Sequence, residues 1–242
     1  MDTADVEPLQ HLRTGGEFDP ADGNALFFQA LIQGAAIFQQ REDVRLLIAD
    51  VDGLRRFGQR VGLNKGSDVN YLLVAALEKA GLSYKDITPV YLPPADARAA
   101  FQRGAIDAWV IWDPFLAEVE TNAKARQISN AEGLVPHYTF YLASRKFADT
   151  YPETAKQVVD ELGKLSVWAN SHQDEAAGLL STSTGLDKAI WLKTLARLPY
   201  GAERMTPAVY NEQQALADTF TRIGLLPVKV DVRSATWSLD KP

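Results

Sequence analysis

The sequence predicts an α/β fold built on a parallel sheet, followed by a mostly helical C-terminal region. Three observations carry that prediction. Between residues 60 and 129 short β-rich runs alternate with helical periodicity, as βαβ crossovers require. After Tyr141 the pattern changes to successive amphipathic helices. Between these regimes stands one long β-rich run, HYTFYLAS (137–144), read as the crossing from an α/β lobe to a helical flank, with a hinge near 132–138.

Taken in order, the first 59 residues offer a polar start, a helix over 24–40 and a strand over 44–49. Residues 60–64 (RVGLN) form a short strand. Ser67 then caps a helix in which Val69, Leu72, Leu73, Ala76, Leu77 and Ala80 recur at helical spacing, ending at Gly81. A strand follows over 89–92, a helix from Pro93-Pro94 to Arg103, a strand over 105–111, a helix over 114–123 and a strand over 126–129. Pro152 opens a helix to Asn170, with Ala155, Val158, Val159, Leu162 and Leu165 on one face. Further helices cover 172–181, 187–196 and 207–223, the last capped by Thr206 with Pro207 at its first position.

Composition removes several function classes. The chain has 242 residues, 46% hydrophobic and 23% charged, which is ordinary globular usage. Its net charge is −6 and it has no basic run, so a nucleic-acid partner is not expected. With no cysteine it has no disulfide, thiolate nucleophile or Cys-ligated metal, although this does not choose a compartment. The longest nearly apolar stretch, 25–38, holds two Gln and falls short of the roughly 18 residues of a membrane span. The first twenty residues carry Asp2, Asp5, Glu7, Glu17 and Asp19 and do not read as a secretion signal. His11, His137 and His172 lie far apart without metal-ligand spacing, and no metal or cofactor is expected.

Two stretches could carry chemistry. In NKGSDVNYLLVAALEKAGL (64–82) a strand ends, small residues turn and a helix begins. The unpaired amides of such a first turn, backed by the helix dipole, suit a small oxyanion, and Ser67 could add a hydroxyl. Plain capping by Ser67 is the simpler reading. The order Lys-Gly-Ser and the missing upstream glycine argue against a nucleotide P-loop. In YLPPADARAAFQRGAIDAWVIWDPF (91–115) a buried strand delivers Trp109, Trp112 and Asp113 to its C-terminal end, where ligands of open α/β sheets bind. An indole beside a carboxylate could shape a pocket for an apolar tail or an amine. Equally, Trp109 could be core and Asp113 a helix cap before Pro114. Trp109 and Trp112 are three apart and face opposite ways on an extended strand, so at most one lines the face of Asp107 or Asp113. Ser67, His137 and Asp113 supply the residue types of a hydrolytic triad, but no G-x-S-x-G elbow accompanies them.

These two stretches, HYTFYLASRKFAD (137–149) and RLPYGAERMTP (197–207) resemble the aliphatic sulfonate-binding proteins of ABC transporters, within the nitrate, sulfonate and taurine group. The resemblance covers roughly 60–242 and is specific over 61–115. It implies a type II periplasmic-binding-protein-like fold, two lobes with a hinge, closing on a sulfonate that is handed to a membrane permease in the periplasm. By that resemblance Gly66, Ser67 and Val69 receive the sulfonate oxygens, Asn70 stands where such proteins often carry His, and Trp109, Trp112 and Asp113 wall the organic tail.

The same resemblance divides the chain into 1–59, an atypical remnant of lobe one; 60–136, the α/β lobe two; and 137–242, the hinge crossing and helical return to lobe one. The family's first strand-helix-strand unit is not found in 1–59, so lobe one is expected to be incomplete and to leave sheet edges open to oligomerisation. Two alternatives remain: a taurine- or nitrate-type oxyanion binder, or an enzyme or ligand-sensing protein on the same fold.

Overall fold

The computed structural model describes residues 36–41, 44–48, 58–122, 125–136, 138–198, 200–235 and 237. The chain enters through two strands, β1 (Ala36–Arg41) and β2 (Val44–Ile48). Next come β3 (Arg60–Leu63), α1 (Asp68–Lys79), β4 (Thr88–Tyr91), α2 (Pro94–Gln102), β5 (Ala108–Trp112), α3 (Phe115–Asn122) and β6 (Arg126–Asn130). The second half holds β7 (Tyr138–Ala143), α4 (Arg145–Thr150), α5 (Pro152–Ser171), α6 (Gln173–Thr184), α7 (Lys188–Leu195), β8 (Glu203–Arg204) and α8 (Pro207–Arg222).

The strands form two sheets, one in the order β4-β3-β5-β2-β6 and one in the order β7-β1-β8. β3 runs parallel to both β4 and β5, as the βαβ pattern requires. β2 runs antiparallel to β5 and β6, so the larger sheet is mixed rather than parallel throughout. The reason lies in the connection. β2 arrives from the smaller sheet, and its first residue, Val44, pairs with Trp112, the last residue of β5. It therefore enters at the C-terminal edge of the parallel strands and runs back against them. Asn130, which ends β6, lies at that same edge opposite Arg45, and from there the chain returns to β7. Among the described residues, β2 begins and β6 ends at the edge where α1 begins.

The helix expected over 24–40 needs correction at its end. Residues 24–35 lie outside the described residues, but Ala36–Arg41 are a strand paired antiparallel with β7, from Ala36↔Ala143 to Arg41↔Tyr138. A ladder to a partner a hundred residues away overrides a local apolar run. The strand expected over 44–49 is present, inside the larger sheet. The short helix α4 has no counterpart in the sequence reading, and the strand expected over 105–111 starts three residues later and ends one residue later.

The larger sheet is covered on both faces. Val61, Leu63, Ala108 and Val110 pack with Val69, Leu72, Leu73 and Leu77 of α1. Trp109 and Ile111 point the other way, into Ala97, Phe101, Leu116 and Val119 of α2 and α3. This is the period-2 alternation of β5. Outside α1 lies α8: the Tyr71 and Phe220 rings meet edge-on at 6.4 Å, and Arg222 pairs with Glu78 at 2.8 Å. On α5 the expected face is buried only in part. Ala155 and Val159 join Ala148 and Trp237 in a small cluster, whereas Val158 and Leu165 are exposed.

Because Leu72 is wholly buried between α1 and the sheet, Leu72→Ala should lower unfolding free energy by about 2–5 kcal/mol in a urea titration. The exposed substitution Leu165→Ala should change it by less than about 0.5 kcal/mol.

Candidate functional site

The turn between β3 and α1 is held by a knot of local hydrogen bonds. Gly66 has φ of 70°, a left-handed conformation that glycine adopts without strain. Its amide donates to Asn70 Oδ1 at 3.1 Å, and Asn70 Nδ2 donates to the Tyr84 hydroxyl at 3.1 Å. Asn70 is wholly buried. Tyr84 in turn shares a hydrogen bond with Tyr91 at the end of β4 (3.1 Å), and Lys65 Nζ lies 5.4 Å above the Tyr91 ring. Burial, with the Tyr91 hydroxyl beside it, pushes the Tyr84 phenol up, so it stays a neutral donor and acceptor.

Ser67 is the N-cap by backbone conformation, but its side chain does not cap. Its hydroxyl donates backward to Asn64 O at 2.8 Å. The amides of Asn70 and Tyr71 return to Ser67 O, whereas the Ser67 and Val69 amides have no hydrogen-bond partner among the described residues. Two expectations change accordingly. The Gly66 amide is spent on Asn70 and the Ser67 hydroxyl on Asn64, which leaves the amides of Ser67 and Val69, both buried residues, without a partner among the described residues at the positive end of α1.

The wall residues separate. Trp109 is fully buried, its ring 6.0 Å from that of Phe101 and its Nε1 without a partner. It is therefore core on the α2/α3 side, correcting its reading as a wall residue. Trp112, at the end of β5, is half-buried and touches both core clusters. Asp113 is committed twice. Its Oδ1 accepts from the Ala117 amide at 2.9 Å, as a cap of α3, and its Oδ2 faces Arg197 Nη1 at 3.5 Å. Asp107 lies at the opposite edge of the sheet, where Arg60 grips it through Nε at 3.1 Å and Nη2 at 2.9 Å.

Arg197 and its partners went unforeseen. Arg197 Nη2 also bonds Glu120 Oε2, which Lys193 approaches at 3.0 Å. Two acids from the β5–α3 segment thus meet two bases from the end of α7, with the Asp113 side chain only 4% exposed and those of Glu120 and Arg197 about one-sixth exposed. Their sequence separations of 77 and 84 residues leave no local pattern to detect. Tyr91 was more accessible to reasoning, since it ends β4 as Trp112 ends β5.

The triad finds no support in this geometry. The Ser67 hydroxyl donates to a backbone carbonyl, Asp113 is held by Ala117 and Arg197, and His137 lies outside the described residues. Among the described residues no three His, Cys, Asp or Glu side chains gather as a metal site, and no helix is long and apolar enough to cross a membrane.

Two sheets joined by paired connections, with a helix N-terminus at the junction, define a periplasmic-binding-protein fold. The chain belongs to the NMT1-like family, which residues 18–182 match. It is 35% identical, over 181 residues, to an Escherichia coli (strain K12) protein named for binding aliphatic sulfonates, covering 74% of this chain and 57% of that one. The structure is similar to the periplasmic aliphatic sulphonate binding protein SsuA of Escherichia coli, with TM-score 0.79, 30% identity, and coverage of 88% of this chain and 76% of that one. It is also similar to the alkanesulfonate-binding protein SsuA of Xanthomonas axonopodis pv. citri bound to MOPS, with TM-score 0.77, 34% identity, and coverage of 88% and 77%. The chain spans a little over half the length of the curated relatives it matches.

Two predictions follow from the buried polar groups. Asn70→Ala leaves the Gly66 amide without its partner and removes one of the two hydrogen bonds of the Tyr84 hydroxyl, so chemical denaturation should show a loss of about 1–3 kcal/mol. For Glu120, burial alone would raise the carboxyl, but Arg197 and Lys193 outweigh it and hold the group below its ordinary 4.5. A group lowered in the folded state stabilises fully above its ordinary value, and that contribution disappears as pH falls through the folded-state value. Thermal melts taken from about pH 6 down to about pH 3 should therefore fall more steeply for the natural chain than for Glu120→Gln. Equal slopes would show that Glu120 contributes no such linkage.

Proposed function

We propose that this chain is the solute-binding component of an ABC importer, capturing small aliphatic sulfonates reversibly in the periplasm and delivering them to a membrane permease. The observation that carries the reading is the pair of amides, Ser67 and Val69, at the start of α1 that have no partner among the described residues. They lie beside the C-terminal edge at which β2 begins and β6 ends. A sulfonate is anionic throughout the neutral range, and amide donors backed by a helix dipole can hold it without a dedicated cation. MOPS, bound by the Xanthomonas relative, is itself a propanesulfonate.

In this reading Gly66 and Asn70 shape the turn, the two amides receive the headgroup oxygens, and Trp112 at the strand end packs against the organic tail. The two lobes close over the ligand by motion of one sheet relative to the other. No bond is made or broken, and the Ser67 hydroxyl donates to a backbone carbonyl rather than to a base among the described residues.

Calorimetry with ethanesulfonate should give saturable one-site heat, and Gly66→Ala, which strains a left-handed turn, should weaken binding by about tenfold or more while the chain stays folded. A folded natural chain that gives no heat or thermal shift with ethanesulfonate, MOPS or nitrate would overturn the reading.

A further inference from the structure

The larger sheet carries an aromatic residue on each side of the turn that begins α1. β3 lies between β4 and β5. Tyr91, the last residue of β4, is in parallel register with Leu63, the last residue of β3, and so shares the face on which Leu63 meets α1. Val110 of β5 also meets α1, and Trp112, two residues on, repeats that face and packs against the same cluster. The 64–67 turn therefore leaves the sheet between a phenol and an indole, both at the C-terminal edge and both on the side of α1.

The sulfonate reading gives Trp112 the organic tail and leaves Tyr91 without a task. A lone exposed ring is ordinary on a protein surface, but this one is held in place. Tyr91 is 37% exposed, yet its hydroxyl shares a hydrogen bond with that of Tyr84, which accepts in turn from Asn70 Nδ2. Lys65, inside the turn itself, lies over the ring. The ring is thus tied to the turn twice, through Asn70 and through Lys65, while its place on β4, which ends the strand order of the larger sheet, keeps part of it in solvent.

We infer that Tyr91 is a specificity-determining residue: its ring is a second aromatic wall of the headgroup turn and extends the ligands of this site to arenesulfonates, whose flat tails stack on it. This rests on the proposed sulfonate site and adds a class of tail to it. In an arenesulfonate the ring is bonded directly to the sulfur, so a headgroup held in the turn brings the ring to the residues that flank the turn. Stacking of two aromatic rings is favourable beyond the area it buries, and a ring already oriented gives up little freedom in doing so.

The test is calorimetry on the full chain with benzenesulfonate, with cyclohexanesulfonate, which is of similar size but puckered, and with ethanesulfonate. The natural protein should bind benzenesulfonate more tightly than cyclohexanesulfonate. In Tyr91→Leu the affinity for benzenesulfonate relative to ethanesulfonate should fall about fivefold, and the preference for the flat ring should disappear. Tyr91→Phe keeps the ring and loses the bond to Tyr84, so it should hold that ratio within about twofold of the natural protein. Should Tyr91→Leu not fold, Tyr91→Gln, polar at this part-exposed position, takes its place. A natural protein that binds ethanesulfonate but does not prefer the flat ring, or a ratio unmoved in Tyr91→Leu, would overturn the inference while leaving sulfonate binding intact. So would an equal fall in Tyr91→Phe, which would assign the effect to the hydroxyl chain rather than to the ring. Failure of the natural protein to bind any of the three would overturn both.

Discussion

A single buried side-chain amide, that of Asn70, fixes the part of the molecule on which the rest depends. Its oxygen takes the Gly66 amide and its nitrogen reaches Tyr84, so the turn leaving β3 is tied to both α1 and the end of the hydroxyl chain that continues to Tyr91. The outcome is a division of labour among donors in one short loop. Some are consumed in holding the shape, and the Ser67 and Val69 amides are left without a partner among the described residues. An unpaired buried donor is costly, and a strong-acid anion at a helix N-terminus is the partner that would remove that cost.

The sheets explain why this loop lies where a ligand could be enclosed. β2 enters, and β6 leaves, at the C-terminal edge of the parallel strands, and each is followed or preceded in sequence by a strand of the smaller sheet. The second lobe is therefore tethered at the edge bearing α1, Tyr91 and Trp112. The C-terminal helices reach back to both faces of the larger sheet, through Phe220 and Arg222 on α1 and through Lys193 and Arg197 on α3. These contacts differ in character. The pair Arg222–Glu78 is half exposed and of the kind worth little, whereas the cluster around Asp113 is largely enclosed and sensitive to the loss of any one member.

Much of this was readable in the sequence, and the failures have physical causes. The apolar spacing of Val69, Leu72, Leu73 and Leu77 gave α1 because one face meets the sheet, and Thr206 with Pro207 gave the start of α8 because capping is local. The strand Ala36–Arg41 was hidden because its ladder partner is β7, far along the chain. Trp109 and Trp112 could be assigned to opposite faces by alternation, yet which of them was core was not decidable until α2 and α3 were seen to enclose Trp109. The roles within 64–70 were legible only as types: glycine, serine and asparagine at a helix start promise donors, but their mutual geometry decides which donors remain.

The claim at the centre is that the Ser67 and Val69 amides receive the ligand's headgroup. Titrating ¹⁵N-labelled protein with ethanesulfonate and following each amide proton tests it directly. The account predicts large, saturable shifts of the Ser67 and Val69 signals, with the Gly66 amide, already bonded to Asn70, moving much less. Saturable shifts elsewhere in the molecule with these two signals unmoved would contradict it.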